Sequence, residues 1–124
     1  MKQPDKSGKF LDVEVALAHV DGDTQLLSEL AEMYVQDFPR MAEDLREGIL
    51  HSDYASVERI AHTLKGRLAF FGINALRDQL SDLERMGRDQ NLTVALELLT
   101  SIKVGMDPIL SEFEALIREQ HRDL

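Results

Sequence analysis

Within the run Ile60-Ala61-His62-Thr63-Leu64-Lys65-Gly66, an imidazole is followed one helical turn later by a cation and then by a residue with no side chain. An imidazole with an ordinary pKa of about 6.5 is available as a nucleophile near neutral pH without deep burial. A lysine three residues on occupies an adjoining patch of the same helix. A unit charge pair about 4 Å apart is worth about 1 kcal/mol in water and about 4 kcal/mol at intermediate dielectric. Lys65 can therefore steady a phosphoryl group on His62 without trapping it. Phosphoryl transfer asks the protein for positioning and electrostatic stabilisation rather than covalent chemistry. Gly66 costs a helix roughly 1 kcal/mol relative to alanine, so it needs a reason. Clearance for another protein's concave active site supplies one. His19, His51 and His121 share none of these neighbours and read as idle surface histidines.

The elements that must position this run are helices throughout. No stretch alternates with period two for long enough to make a strand. Residues 1–9 are polar, with Pro4 and Gly8, and read as a flexible N-terminal tail; residues 10–124 read as one bundle domain. Asp12 caps a short first helix carrying Val13, Ala16, Leu17 and Val20, which Asp21-Gly22-Asp23 ends. A second helix from Asp23 carries Leu27, Leu30, Ala31, Tyr34, Phe38, Met41, Leu45 and Ile49. Its stripe keeps phase through Pro39, which predicts a kinked helix rather than two. Asp53 caps the third, which runs to Phe71 with Gly72 as its stop. Asn74 is the expected cap of a fourth, with Leu76, Leu80 and Leu83 inward and Gly87 to Asn91 as the turn that follows. The last helix carries Ala95, Leu98, Leu99, Ile102, Met106, Ile109, Leu110, Phe113, Leu116 and Ile117, with a bend expected where Gly105 and Pro108 weaken its ladder. The expected fold is all-α: an antiparallel up-and-down four-helix bundle with a short additional N-terminal helix.

Counting 100° per residue from Val57, the positions Ile60, Ala61, Leu64, Leu68 and Phe71 fall within about 60° of it and form the core stripe. His62 falls at about 140°, outside the stripe. Exposure is expected, with Glu58, Lys65 and Ala69 toward one edge of its face and Arg59 and Gly66 toward the other.

Composition narrows the function classes. The 124 residues suffice for one core, and with no cysteine there is no disulfide, thiol nucleophile or cysteine-metal site. No apolar run approaches a membrane span, and the first residues lack the apolar core of a signal peptide; a cytoplasmic protein is expected. The net charge of −9 opposes nonspecific binding to nucleic acid or anionic membrane. Between Arg59 and Arg77, however, there is no Asp or Glu, while Arg59, Lys65, Arg67 and Arg77 fall in that window. A basic stretch around a histidine in an acidic protein suits an acidic or phosphorylated partner.

The pattern His-x-x-Lys-Gly with a further glycine at Gly72 resembles the signature of histidine-containing phosphotransfer (HPt) domains. Gly22-Asp23 before a long helix, the Phe38-Pro39 step, and Leu76, Leu80 and Leu83-Glu84 extend the likeness over nearly the whole chain. The resemblance implies a phosphorelay intermediary of two-component signalling without autonomous catalysis. His62 would be phosphorylated at Nε2 in exchange with aspartates of response-regulator receiver domains, with a hybrid sensor histidine kinase upstream. Lys65 would assist and Gly66 would give clearance. No cofactor of its own is implied, Mg²⁺ being expected on the receiver domain, and a monomer is expected. Arg67 stands where a small residue is typical and Phe70 where a polar one is common. With Arg59, Gly66 and Ala69 they form an expected partner-binding rim, on the grounds that an exposed aromatic beside an arginine suits a binding hot spot. The alternative is that Arg67 and Phe70, at about 280° and about 220° by the same count, pack against a neighbouring helix, since Arg67 approaches the core edge.

Other classes fit less well. A histidine kinase dimerisation domain has an acidic residue directly after its histidine, whereas Thr63 stands here, and no glycine-rich nucleotide loop is present. A carboxylate-bridged metal bundle needs paired Glu-x-x-His motifs; Glu58 and His62 are four apart and stand alone. No nucleophilic hydrolase triad is signalled. The remaining alternative is a helical adaptor that binds signalling partners without carrying phosphate.

Overall fold

Short polar side chains followed by amphipathic runs set the helix starts. In the computed structural model, which describes residues 8–122, Asp12 accepts from the Val15 N–H, Asp23 from Leu26 and Asp53 from Ser56. These caps open α1 (Val13–His19), α2 (Thr24–Leu50) and α3 (Tyr54–Phe70), satisfying N–H groups that a helix start leaves unpaired. Two further helices follow, α4 (Arg77–Arg88) and α5 (Ala95–Arg122). Among the described residues there is no strand. Residues 1–7 of the expected tail, and the His121 side chain, lie outside the described residues. Phe10 and Leu11 are held: both backbone N–H groups donate to the Glu112 carboxylate at 3.0–3.1 Å.

α2 packs on α3 and α5, and α4 packs on α3 and α5, so the four long helices close a ring around one core, with α1 laid across α2 and α3. The partners show the directions. Stepping forward along α3 from Glu58 to His62 to Lys65 meets Gly87, Glu84 and Ser81, stepping backward along α4. Val57 and Arg67 likewise meet Gly48 and Asp37 in reverse order along α2. The core stripe of α3 is buried as its periodicity predicts, with Val57, Ala61 and Phe71 at 0% exposure. Phe71 packs edge-on against Phe113 and Tyr34, with ring centres 4.8 and 5.5 Å apart. α2 runs unbroken through Pro39 and α5 through Pro108.

Two boundaries differ from expectation. Asn74 does not cap α4: its carbonyl accepts from the Arg77 N–H in a turn, and Leu76 occupies the cap position in a left-handed conformation (φ 68°) with no side-chain cap. α3 ends in a Schellman arrangement, Ile73 donating to Leu68 and Gly72 to Ala69, with Gly72 at φ 69°. That closure buries Ile73 and leaves only three residues to reach α4. The Leu76 side chain then seats on α5 at Gly105, where an added Cβ would come within 2.7 Å of it; that contact offsets an unusual φ. Gly87 lies inside α4 rather than in the turn after it. An added Cβ there would meet the Glu58 N and the Tyr54 carbonyl at 2.8 and 2.9 Å, so Gly87 is where α4 and α3 touch backbone to backbone.

Candidate functional site

His62 stands on the solvent side of α3 with its side chain 69% exposed. Its Nδ1 lies 2.8 Å from Glu84 Oε2 across the α3–α4 seam. The other oxygen of the same carboxylate, Oε1, accepts from Lys65 Nζ at 2.6 Å, and Lys65 also reaches Ser81 Oγ at 3.4 Å. One carboxylate thus bridges the two residues that the sequence pattern singles out. The Lys65 hydrogen bond holds the Glu84 carboxyl below its usual range, against partial burial that pushes it up, with the His62 hydrogen bond adding to the lowering. An ionised carboxylate only accepts, so Nδ1 carries the hydrogen. In the neutral ring the lone pair then belongs to Nε2.

Beside His62, on the α4 side, a depression of about 300 Å³ is walled by Lys65, Gly66, Ala69, Ile73, Asn74 and Arg77 among others. Gly66 is open: a Cβ added there would meet nothing within 4 Å. Among the described residues, no packing requires a glycine at this position.

The expected rim divides. Gly66 and Ala69 border the depression with His62 and Lys65. Arg59 turns the other way, toward a separate hollow at the α2–α3 turn that it shares with Asp44, Glu47 and Asp53. Arg67 and Phe70 are not an exposed pair. Arg67 is drawn against α2, 3.0 Å from Asp37 and 4.8 Å over the Tyr34 ring. Phe70 is half-buried between His19 and Phe71, with ring centres 4.7 and 5.5 Å away. His19 closes this edge, its Nδ1 3.0 Å from the Phe70 carbonyl. The helical count put Arg67 near the core edge, and the α2 acid and aromatic draw it in. The basic stretch of the sequence is correspondingly not a basic patch in space, because Glu84 and Asp37 arrive from other helices to meet Lys65 and Arg67. Glu84 is the site residue that the spacing around His62 could not find. Its only sequence signal was the Leu83-Glu84 pair within the resemblance.

Among the described residues, no group of three or more His, Asp or Glu side chains is placed to hold a metal ion, and no helix is long and apolar enough to cross a membrane. No curated protein matches the chain. A solved structure does: histidine-containing phosphotransfer protein B (HptB) from Pseudomonas aeruginosa PAO1 has the same fold, with a TM-score of 0.79 at 19% identity, over 91% of this chain and 98% of that one. The family model of the Hpt domain matches residues 29–122, the span that holds α3, α4 and the whole His62 cluster. With a helical bundle and an exposed histidine to go with that match, the chain belongs to the Hpt domain family, the phosphotransfer proteins of two-component signalling.

Proposed function

We propose that His62 accepts a phosphoryl group at Nε2 from the aspartyl phosphate of a receiver domain and donates it to the aspartate of another. The observation that carries this is the Glu84 bridge: it fixes the ring by Nδ1 and leaves Nε2 as the nucleophilic nitrogen on an exposed side chain. In the transfer, the Nε2 lone pair forms the N–P bond while the P–O bond to the aspartate breaks, and that electron pair leaves as the aspartate carboxylate. No proton needs to move. Nδ1 keeps its hydrogen, and the positive charge that develops on the ring faces the Glu84 carboxylate, much as a buried aspartate steadies the imidazolium of a hydrolase triad. Because each transfer exchanges one carboxylate partner for another around the same ring, the step runs in either direction.

Lys65 serves both anions. Before transfer it is held by Glu84; afterwards its remaining donors can turn to the phosphoryl oxygens, since an ammonium offers three. Mg²⁺ is assigned to the receiver domain, whose aspartate pocket organises the phosphoryl oxygens during transfer. Hpt domain proteins are in general phosphocarriers rather than enzymes, and this chain is proposed to have no catalysis of its own.

Incubation with a receiver domain labelled on its aspartate is the test. Label that appears on the chain, acid-labile and base-stable, and that is lost in His62→Gln supports the proposal. Stable binding without label would favour an adaptor instead. Glu84→Ala should slow label uptake by about tenfold, the equivalent of about 1.4 kcal/mol in the barrier, while Glu84→Gln, which can still accept from Nδ1, should lose less.

A further inference from the structure

The cations around His62 are not equally committed. Lys65 is bound to Glu84 and Arg67 to Asp37, and Arg59 sits by Ser56 and the Asp53 carboxylate on the far side of α3's first turns. Arg77 differs. It opens α4 on the rim of the same depression that His62 lines, its side chain is 63% exposed, and its acidic contact is with its own neighbour Asp78, at 3.9 Å. The rest of the lining is largely apolar, with Leu68, Ala69, Ile73 and Leu80 beside the uncharged polar Asn74 and Ser81.

We infer that Arg77 is a specificity-determining residue, reading a carboxylate of the receiver domain that flanks its phosphorylated aspartate. The inference rests on the phosphotransfer proposal above. An acyl phosphate and its surrounding carboxylates approach a chain of net charge −9, at a site where Glu84 already offsets the lysine. Attraction at that approach must come from a cation that no acid of another helix holds, and Arg77, whose 3.9 Å contact is with its own exposed neighbour Asp78, is placed for it. A guanidinium also grips a carboxylate through two parallel hydrogen bonds, which gives orientation as well as charge. The apolar wall beside it strengthens the interaction by excluding water once the partner is seated. The α4 end of the depression, rather than the Arg67–Phe70 edge, is thus where the partner is distinguished.

The experiment compares Arg77→Glu, Arg77→Gln and the wild type in transfer from a receiver domain phosphorylated on its aspartate. Phosphoramidate, which brings no carboxylate, serves as a second donor. Folding should survive, because an acidic residue in the first turn of a helix is favourable. Arg77→Glu should lower kcat/KM for the receiver by about tenfold or more through KM, with the maximal rate nearly kept, and should flatten its dependence on salt. Arg77→Gln should fall between. Phosphoramidate should label His62 equally in all three. Equal receiver kinetics in Arg77→Glu and wild type would overturn the inference. So would an equal loss with both donors, which would place Arg77 at the phosphoryl group instead. A wild type labelled by neither donor would take down the phosphotransfer proposal itself, a result distinguishable from both.

Discussion

The two flanks of α3 begin from similar residues and end differently. Toward α4, a histidine and a lysine meet one carboxylate, Glu84, beside a glycine that nothing covers, and the histidine remains open to solvent. Toward α2, an arginine meets Asp37 and Tyr34, and a phenylalanine closes between Phe71 and His19 of α1. On the first flank the acid is shared by two bases and leaves one nitrogen unused. On the second the acid and an aromatic face together absorb the arginine, and its neighbour's ring is covered by α1. The same kind of charge pair supports reactivity in one place and packing in the other. The difference is whether any donor or lone pair is left over once the internal partners are counted.

The largest expected effect breaks the open flank at its centre. His62→Gln should abolish phosphate uptake, since an amide nitrogen's lone pair is delocalised into its carbonyl and is not nucleophilic, while far-ultraviolet circular dichroism and the thermal midpoint stay near wild type, because an exposed side chain carries little of the fold. Label retained at full level in this variant would remove His62 from the mechanism.

A pair of glycines sharpens the contrast next. Gly66 meets nothing, so Gly66→Leu should stabilise the chain by up to about 0.8 kcal/mol through helix propensity while slowing transfer by tenfold or more, as the new side chain meets the docking receiver (about 1.4 kcal/mol). Gly87 is pressed against the α3 backbone, so Gly87→Ala should destabilise by about 1–3 kcal/mol through overpacking. Chemical denaturation and stopped transfer assays on both variants check the opposition. Transfer unaffected by Gly66→Leu would leave that glycine without an explanation.

Much of this was legible in the chain. The caps at Asp12, Asp23 and Asp53 and the stripe from Val57 to Phe71 are local patterns, and local patterns fix local structure. The exposure of His62 followed from the same stripe. Glu84, Asp37 and Tyr34 were not legible as partners, because they come from 22, 30 and 33 residues away by way of a bundle register that no single helix encodes. Gly87 and Leu76 were misplaced for a related reason. The cost of a helical glycine and of a left-handed leucine is offset by contacts on other helices, so single-segment propensity pointed to a turn in the first case and to an ordinary cap at Asn74 in the second.

On the closed flank the expected effects are smaller and belong to stability. Phe70→Ala should destabilise by about 1–2 kcal/mol, less than a fully buried phenylalanine would because Phe70 is half-covered. Arg67→Gln should cost about 1 kcal/mol, from a partly exposed ion pair and the cation–π contact together. Both variants should exchange phosphate at rates close to wild type. If Phe70→Ala instead kept its stability and lost receiver binding, the partner would dock across the α2 edge after all.

The smallest expected effect concerns pH, and it separates the flanks by sign. Glu84 has a depressed carboxyl pKa in the folded chain, so the folded state favours the ionised form. Its contribution is present above about pH 4.3, the ordinary glutamate value, and is lost as pH falls through the lower folded value. Tyr34 is the opposite: partial burial raises its phenol, only partly countered by Arg67. Its contribution is present below about pH 10 and is lost as pH rises through the raised folded value. Melting curves of the wild type across acid and alkaline ranges should therefore show both limbs. Glu84→Gln should flatten the acid limb and leave the alkaline one, while Tyr34→Phe should do the reverse. Both limbs moving together in either variant would mean that the two flanks are coupled through α3 rather than independent.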